Sequence, residues 1–165
     1  MNLYYWCPFI DKVATVKAVL NSAKSVNKFS KKLHEPIILN VIGEWDEYKN
    51  ELDKNSIKQI KLTKGNFIYK KLPRNSFLKS RLSYLIISFY SFIKFLIFLK
   101  KRNEKDIVIF HLITSLPLIL IFFFKFRCKF VLRISGLPKI NFLRGFLWRI
   151  SEKNIDRIFV PTLET

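Results

Sequence analysis

The stretch Asp106–Pro138, DIVIFHLITSLPLILIFFFKFRCKFVLRISGLP, decides the reading of this chain. Asp106 to His111 is a short β-branched run that ends in a histidine. Ser115 to Phe124 is an apolar segment with a Ser-x-Pro start, and Lys129 to Ile134 is β-branched again, stopping at Ser135-Gly136. Length and punctuation make this strand, helix, strand. The polar residues gather where the strands end, and in an open parallel sheet those carboxyl ends are where ligands bind.

Working outward, Leu3 to Cys7 reads as an aromatic-rich strand stopped by Pro8. Asp11 is placed to cap a helix from Lys12 to about Phe29, with Val13, Val16, Leu20, Ala23 and Val26 in one apolar stripe. Ile37 to Ile42 is a near-continuous apolar strand, and unbroken apolar runs indicate a parallel sheet covered on both faces. Glu44 to Asn55 holds many of the acids and reads as a surface helix or loop. Ile57 to Leu62 is a more polar strand near a sheet edge, and Phe67 to Arg81 reads as a basic loop. A helix over Leu82–Leu99 then leads into the central stretch. Beyond it lie an amphipathic helix over Asn141–Lys153 and a last short strand over Ile155–Val160. In that helix Leu143, Phe146, Leu147 and Ile150 face inward, with Arg144 and Arg149 outward. The alternation predicts one α/β domain over 1–165, a Rossmann-like parallel sheet of about six strands with helices on both faces.

The net charge of +18 points to anionic partners: phosphates, nucleic acid or an acidic bilayer face. A bias toward Lys, Ile, Phe and Asn is the competing explanation. No nucleic-acid-binding module is visible, so nucleic acid is not expected. Hydrophobic residues are 50% and charged residues 25%, which excludes a disordered chain. Cys7 and Cys128 lack metal-ligand spacing and read as buried thiols of a reducing compartment. MNLYYWCPFIDK has no basic region ahead of its apolar residues, so the start reads as a cytoplasmic first strand and not a signal peptide. Leu82–Leu99 and Ile107–Phe124 approach the length of a membrane span. The second is better explained as strand, turn and helix. The first, with Lys94 inside and basic flanks, is a buried helix or one lying on a membrane, with a membrane anchor as the third reading.

His111 stands where a strand-end side chain reaches a ligand; capping the next helix or a satisfied place in the core are the plainer roles. His34, in a Lys-rich turn, reads as ordinary surface. The turn Pro8-Phe9-Ile10-Asp11 precedes a helix N-terminus, which favours anions. It lacks GxGxxG, and there is no P-loop lysine, nucleophile elbow or zinc-spaced cluster, so neither metal nor cofactor is expected. Ser135-Gly136 ends a strand where backbone approaches a ligand closely. Lys70, Lys71, Arg74, Lys79 and Arg81 suit an anionic membrane surface or a solvated loop equally.

Taken together, FIDKVATVKAVLNSAKSVNKFSK with IILNVIGEWDEY, then LPRNSFLKSRLSY, DIVIFHLITSLPLIL, FVLRISGLPKINFLRGFLW and IDRIFVPTLET resemble the N-terminal domain of a GT-B glycosyltransferase of the large retaining group 1 family. The resemblance covers nearly the whole chain and rests on order and spacing. It implies transfer of a sugar from a nucleotide-sugar donor to a glycan or lipid-linked acceptor in cell-surface polysaccharide synthesis. Peripheral attachment at the inner membrane face goes with it. It implies that His111 acts near the reacting sugar, and that Asp11, Thr15, Arg81, Arg133, Ser135 and Gly136 contribute to acceptor or phosphate binding. Two departures stand out. Relatives often carry His-Gly where this chain has Ser135-Gly136, and their first-turn glycines are replaced around Ala14 and Thr15. The Glu-x7-Glu motif of the donor domain has no counterpart, and the chain ends just after a strand. The expectation is therefore an acceptor half, inactive alone; the alternative is a non-catalytic, peripheral membrane-associated module that retained the fold.

Overall fold

The computed structural model describes residues 1–11, 13–31, 33–63, 67–73, 77–112, 114–134 and 142–160. Six strands form one parallel sheet: β1 (Asn2–Trp6), β2 (Glu35–Asn40), β3 (Lys58–Lys61), β4 (Ile107–Phe110), β5 (Lys129–Arg133) and β6 (Arg157–Phe159), in the order β3-β2-β1-β4-β5-β6. The helices are α1 (Ala14–Phe29), α2 (Lys49–Lys54), α3 (Phe67–Lys71), α4 (Phe77–Lys100), α5 (Ser115–Phe123) and α6 (Phe142–Ser151). The fold is α/β and Rossmann-like. The chain runs outward from β1 to β3, then crosses back to start β4 on the other side of β1. The strand order therefore reverses between β1 and β4, and in such sheets the crevice beyond the carboxyl ends of that pair is the ligand position.

Alternate side chains of β1 supply the two layers that clamp the sheet. The Tyr5 hydroxyl lies 3.2 Å from Ser22 Oγ of α1. On the opposite face the Trp6 ring stacks on Phe95 of α4, centroids 4.0 Å apart, and Tyr4 meets Phe98 edge-on at 5.1 Å. Trp6, Cys7, Ile38, Leu39, Phe95, Leu99 and Phe110 are fully buried. That is what unbroken apolar strands require, since each face must be covered to remove it from water. Burial alternates in β4, where Val108 and Phe110 are buried and Ile107 and Ile109 are only half-buried. On this side of the sheet the face that α1 covers at β1 is partly open at β4.

Several elements differ from the sequence expectation. Phe67–Arg81 is no loop: it contains α3 and the start of α4, the latter beginning five positions before the expected helix. Periodicity hid it, because α4 is apolar on both faces. Asp11 does not cap α1; Val13, in extended conformation, takes the N-cap position with no side-chain cap bond. Val13 is exposed there, and Val19 joins Val16, Leu20 and Ala23 as the buried stripe. Phe146 of α6 is exposed, not inward, while Leu147 and Ile150 are half-buried; the side chains at 143 and 144 lie outside the described residues. The acid-rich Glu44–Asn55 segment is not all surface, since Glu44, Trp45 and Leu52 are buried.

Candidate functional site at the strand-order reversal

The carboxyl ends of β1 and β4 are joined directly. The backbone N–H of His111 donates to the carbonyl of Trp6 across 2.8 Å. The His111 side chain is 1% exposed, yet neither ring nitrogen has a hydrogen-bond partner. Capping α5 and satisfaction in the core, the plainer roles, are therefore not what the imidazole does. It faces a cavity of about 380 Å3 lined by Tyr5, Ser22, Ile109, His111, Arg133 and Phe159 together with Val160. The volume falls in the range of small-molecule pockets. The Tyr5 and His111 rings lie nearly parallel, centroids 6.1 Å apart.

The electrostatics follow from this placement. Burial, with a smaller contribution from the Arg133 charge, pushes the His111 pKa down to about 3. The ring is therefore neutral across ordinary pH, offering one N–H donor and one acceptor nitrogen. Burial also raises the Tyr5 pKa, opposed by the Ser22 hydrogen bond and by Arg133, so the phenol keeps its proton. Arg133, half-buried at the end of β5, supplies the fixed cation and a planar fork matched to phosphate or carboxylate. Leu112, immediately after His111, holds φ +54°. A non-glycine residue pays about 1–2 kcal/mol to enter that left-handed region. Strain and an unsatisfied buried polar group thus sit side by side, a combination that clusters at functional sites.

The neighbouring rim is closed. Where dinucleotide-binding folds carry a glycine-rich turn after β1, Cys7, Phe9 and Ile10 are buried instead. Phe9 packs edge-on against Trp45 at 5.2 Å and Tyr69 at 6.1 Å, and the Trp45 indole donates to the Cys7 carbonyl at 3.2 Å. Glu44, fully buried one residue before Trp45, accepts with its two oxygens from Val41 N–H at 3.0 Å and Ile42 N–H at 2.8 Å. Burial lifts its pKa to about 7 against the pull of those backbone donors. Burial and the Glu44 charge raise the Cys7 thiol well above its usual range, so it is an inert filler.

Of the site residues expected from sequence, the fold brings His111 and Arg133 to one cavity. Asp11 is exposed on the β1–α1 rim, and Thr15 is half-buried in the first turn of α1. Arg81 is exposed on α4, one turn from Tyr84, whose pKa is raised by burial and by the Asp11 charge. None of these three lines the cavity. Ser135 and Gly136 lie outside the described residues, as does Arg74. Sequence reasoning missed Tyr5 and Ser22. For Tyr5 the signal was parity: it pairs with Ile109 across β1 and β4, which places both on the His111 side.

A larger cleft of about 560 Å3, lined by Lys125, Arg127, Cys128, Lys129 and Asp156 among others, lies at the amino ends of β5 and β6. Strand direction places it away from the reversal point. Among the described residues, no three His, Cys, Asp or Glu side chains group as a metal site. No protein-family model, no curated protein and no solved structure matches the chain.

Proposed function

We infer that the chain is the acceptor-side domain of a nucleotide-sugar-dependent glycosyltransferase, with its ligand in the crevice between β1 and β4. The observation that carries this reading is the buried, neutral and unpartnered His111 ring facing a cavity that also holds Arg133. Sugars present hydroxyls that both donate and accept, and a neutral imidazole answers with one of each. A phosphate on the same ligand is matched by the guanidinium of Arg133. In the resemblance, too, the histidine after the fourth strand belongs near the reacting sugar.

In the reaction the bond from the anomeric carbon to the donor phosphate oxygen breaks and the nucleoside diphosphate leaves. The acceptor hydroxyl oxygen forms the new glycosidic bond and its proton passes to the departing diphosphate. On this reading, the present chain binds and orients; a second Rossmann-like domain stabilises the leaving diphosphate. The acceptor is a glycan or a lipid-linked sugar handled at the inner membrane face.

The test uses the whole chain with three probes: UDP-glucose, GDP-mannose, and a monosaccharide on a short, water-soluble isoprenyl diphosphate. Binding of a phosphate-linked sugar that perturbs the His111 ring resonances, and is lost in both His111→Ala and Arg133→Ala with unchanged thermal melting, supports the reading. Indifference of binding to both substitutions, or no binding of any probe, overturns it. Failure of an added donor domain to restore transfer, with binding intact, leaves a binding module that has kept the fold.

A further inference from the structure

The outward face of α4 is apolar along almost its whole length. Leu78, Leu82, Leu85, Phe89, Ile93 and Ile97 are all exposed, Phe89 by 89%. Their spacings of three and four residues put them in one stripe on a helix. The opposite side carries Ser83, Ile87, Ser91, Phe95 and Leu99, all fully buried. The exposed stripe is therefore not a by-product of loose packing, since the other face of the same helix is seated on the sheet. At about 1.5 Å per residue it runs for roughly 28 Å, longer than the scattered exposed apolar residues normal on a soluble surface. At the helix end Lys100 Nζ lies 5.5 Å from the Phe124 ring centroid, and Phe122 and Phe123 of α5 are exposed as well.

We propose that this stripe is a docking surface for an anionic lipid bilayer, with α4 lying flat in the headgroup region and its sheet-facing side keeping the domain folded above it. The charges select this occupant. Lys79 and Arg81 flank the stripe at one end and Lys100 and Lys101 at the other, and α4 contains no acid. A second copy of the chain brings its own +18, so self-association sets like charge against like charge, whereas anionic lipid attracts it. Residues Leu78–Lys100 are long and apolar enough to cross a bilayer, with mean hydropathy 2.0. Crossing, however, would strip Phe95 and Phe98 from Trp6 and Tyr4, leaving one sheet face bare. Lying flat uses the apolar face without that loss, as interfacial helices do. The surface stands independently of the His111 crevice: it lies on the layer opposite α1.

The experiment is co-sedimentation of the whole chain with vesicles of phosphatidylcholine alone or with about one-third phosphatidylserine, in low and high salt. The expected result is retention on the anionic vesicles, weakened by salt, and release by alkaline carbonate. The double variant Leu85→Ser/Phe89→Ser, with circular dichroism and melting as in the parent chain, should bind at least about tenfold more weakly. Equal binding of that variant overturns the proposal, as does retention against carbonate, which means a spanning helix. A parent chain that does not bind, or that is a dimer made monomeric by the same substitutions, overturns it as well.

Discussion

His111 is tied to Trp6 through its backbone, N–H to carbonyl at 2.8 Å, while neither nitrogen of its ring has a hydrogen-bond partner. The bond fixes the two strand ends at the point where the sheet order reverses, so the imidazole is positioned by the sheet and not by a partner of its own. The price is a buried polar group left unsatisfied, about 1–3 kcal/mol of stability by comparison with other proteins. A bound ligand that hydrogen-bonds the ring would recover it.

The same burial sets a pH dependence. The folded-state pKa of His111 is about 3 against an ordinary value of 6.5, so between these limits the unfolded chain binds more protons. Stability then falls as pH falls below about 6.5, by up to about 1.4 kcal/mol per unit. His111→Phe removes the group and fills the space. Urea midpoints at pH 4.5 and 7.5 should differ less in the variant than in the parent, and the variant should be the more stable of the two at pH 4.5.

Glu44 works in the opposite direction. Its folded pKa near 7 exceeds the ordinary 4.5, so its contribution is complete below about 4.5 and is lost as pH rises through 7. Glu44→Gln should carry a constant cost of about 1–3 kcal/mol, because one backbone N–H of Val41 or Ile42 then faces an amide donor. It should also remove the falling contribution of Glu44 from the pH profile between 5 and 8. The difference in slope, parent minus variant, is the measurement; equal slopes would mean that Glu44 is ionised throughout.

These two residues mark what a sequence of this kind makes legible. The central strand–helix–strand unit, the six strands and the edge position of β3 are legible because apolar run length and punctuation report burial. His111 and Arg133 are legible as strand-end residues for the same reason. The burial of Glu44 is not. It depends on the loop after β2 folding back, so that Asn40 and Glu44 satisfy the backbone at Val41 to Gly43; acidic composition alone points to solvent. The early start of α4 is hidden because a helix apolar on two faces carries no single stripe. Its buried face answers to the sheet, its exposed one to something else.

The loop after β2 provides a direct test of that local wiring. Asn40 Oδ1 accepts from Gly43 N–H at 2.8 Å, and its Nδ2 donates to Asp46 Oδ1 at 2.7 Å, with the side chain 1% exposed. Gly43 holds φ 101°, a conformation that a Cβ resists. Asn40→Ala should cost about 2–3 kcal/mol in urea unfolding, since it leaves a buried N–H without a partner. Gly43→Ala should cost about 1–3 kcal/mol through backbone strain.

The two faces of α4 predict opposite responses to substitution. Phe95 is fully buried and stacks on Trp6 at 4.0 Å, so Phe95→Ala removes a large core ring and leaves a cavity against the central strand. The expected loss is about 3–5 kcal/mol. Phe89, two turns away and on the outer face, is 89% exposed, so Phe89→Ser should change stability in solution by only about 0.5 kcal/mol. Urea unfolding followed by circular dichroism, without lipid, measures both. If Phe95→Ala costs under about 1 kcal/mol, α4 is not seated on the sheet in solution, and the flat orientation of its apolar stripe loses its support. If Phe89→Ser costs as much as Phe95→Ala, the outer face is already covered within the folded chain. A large loss at Phe95 with none at Phe89 means that α4 is held by the sheet on one side while Phe89 remains available to a bilayer on the other.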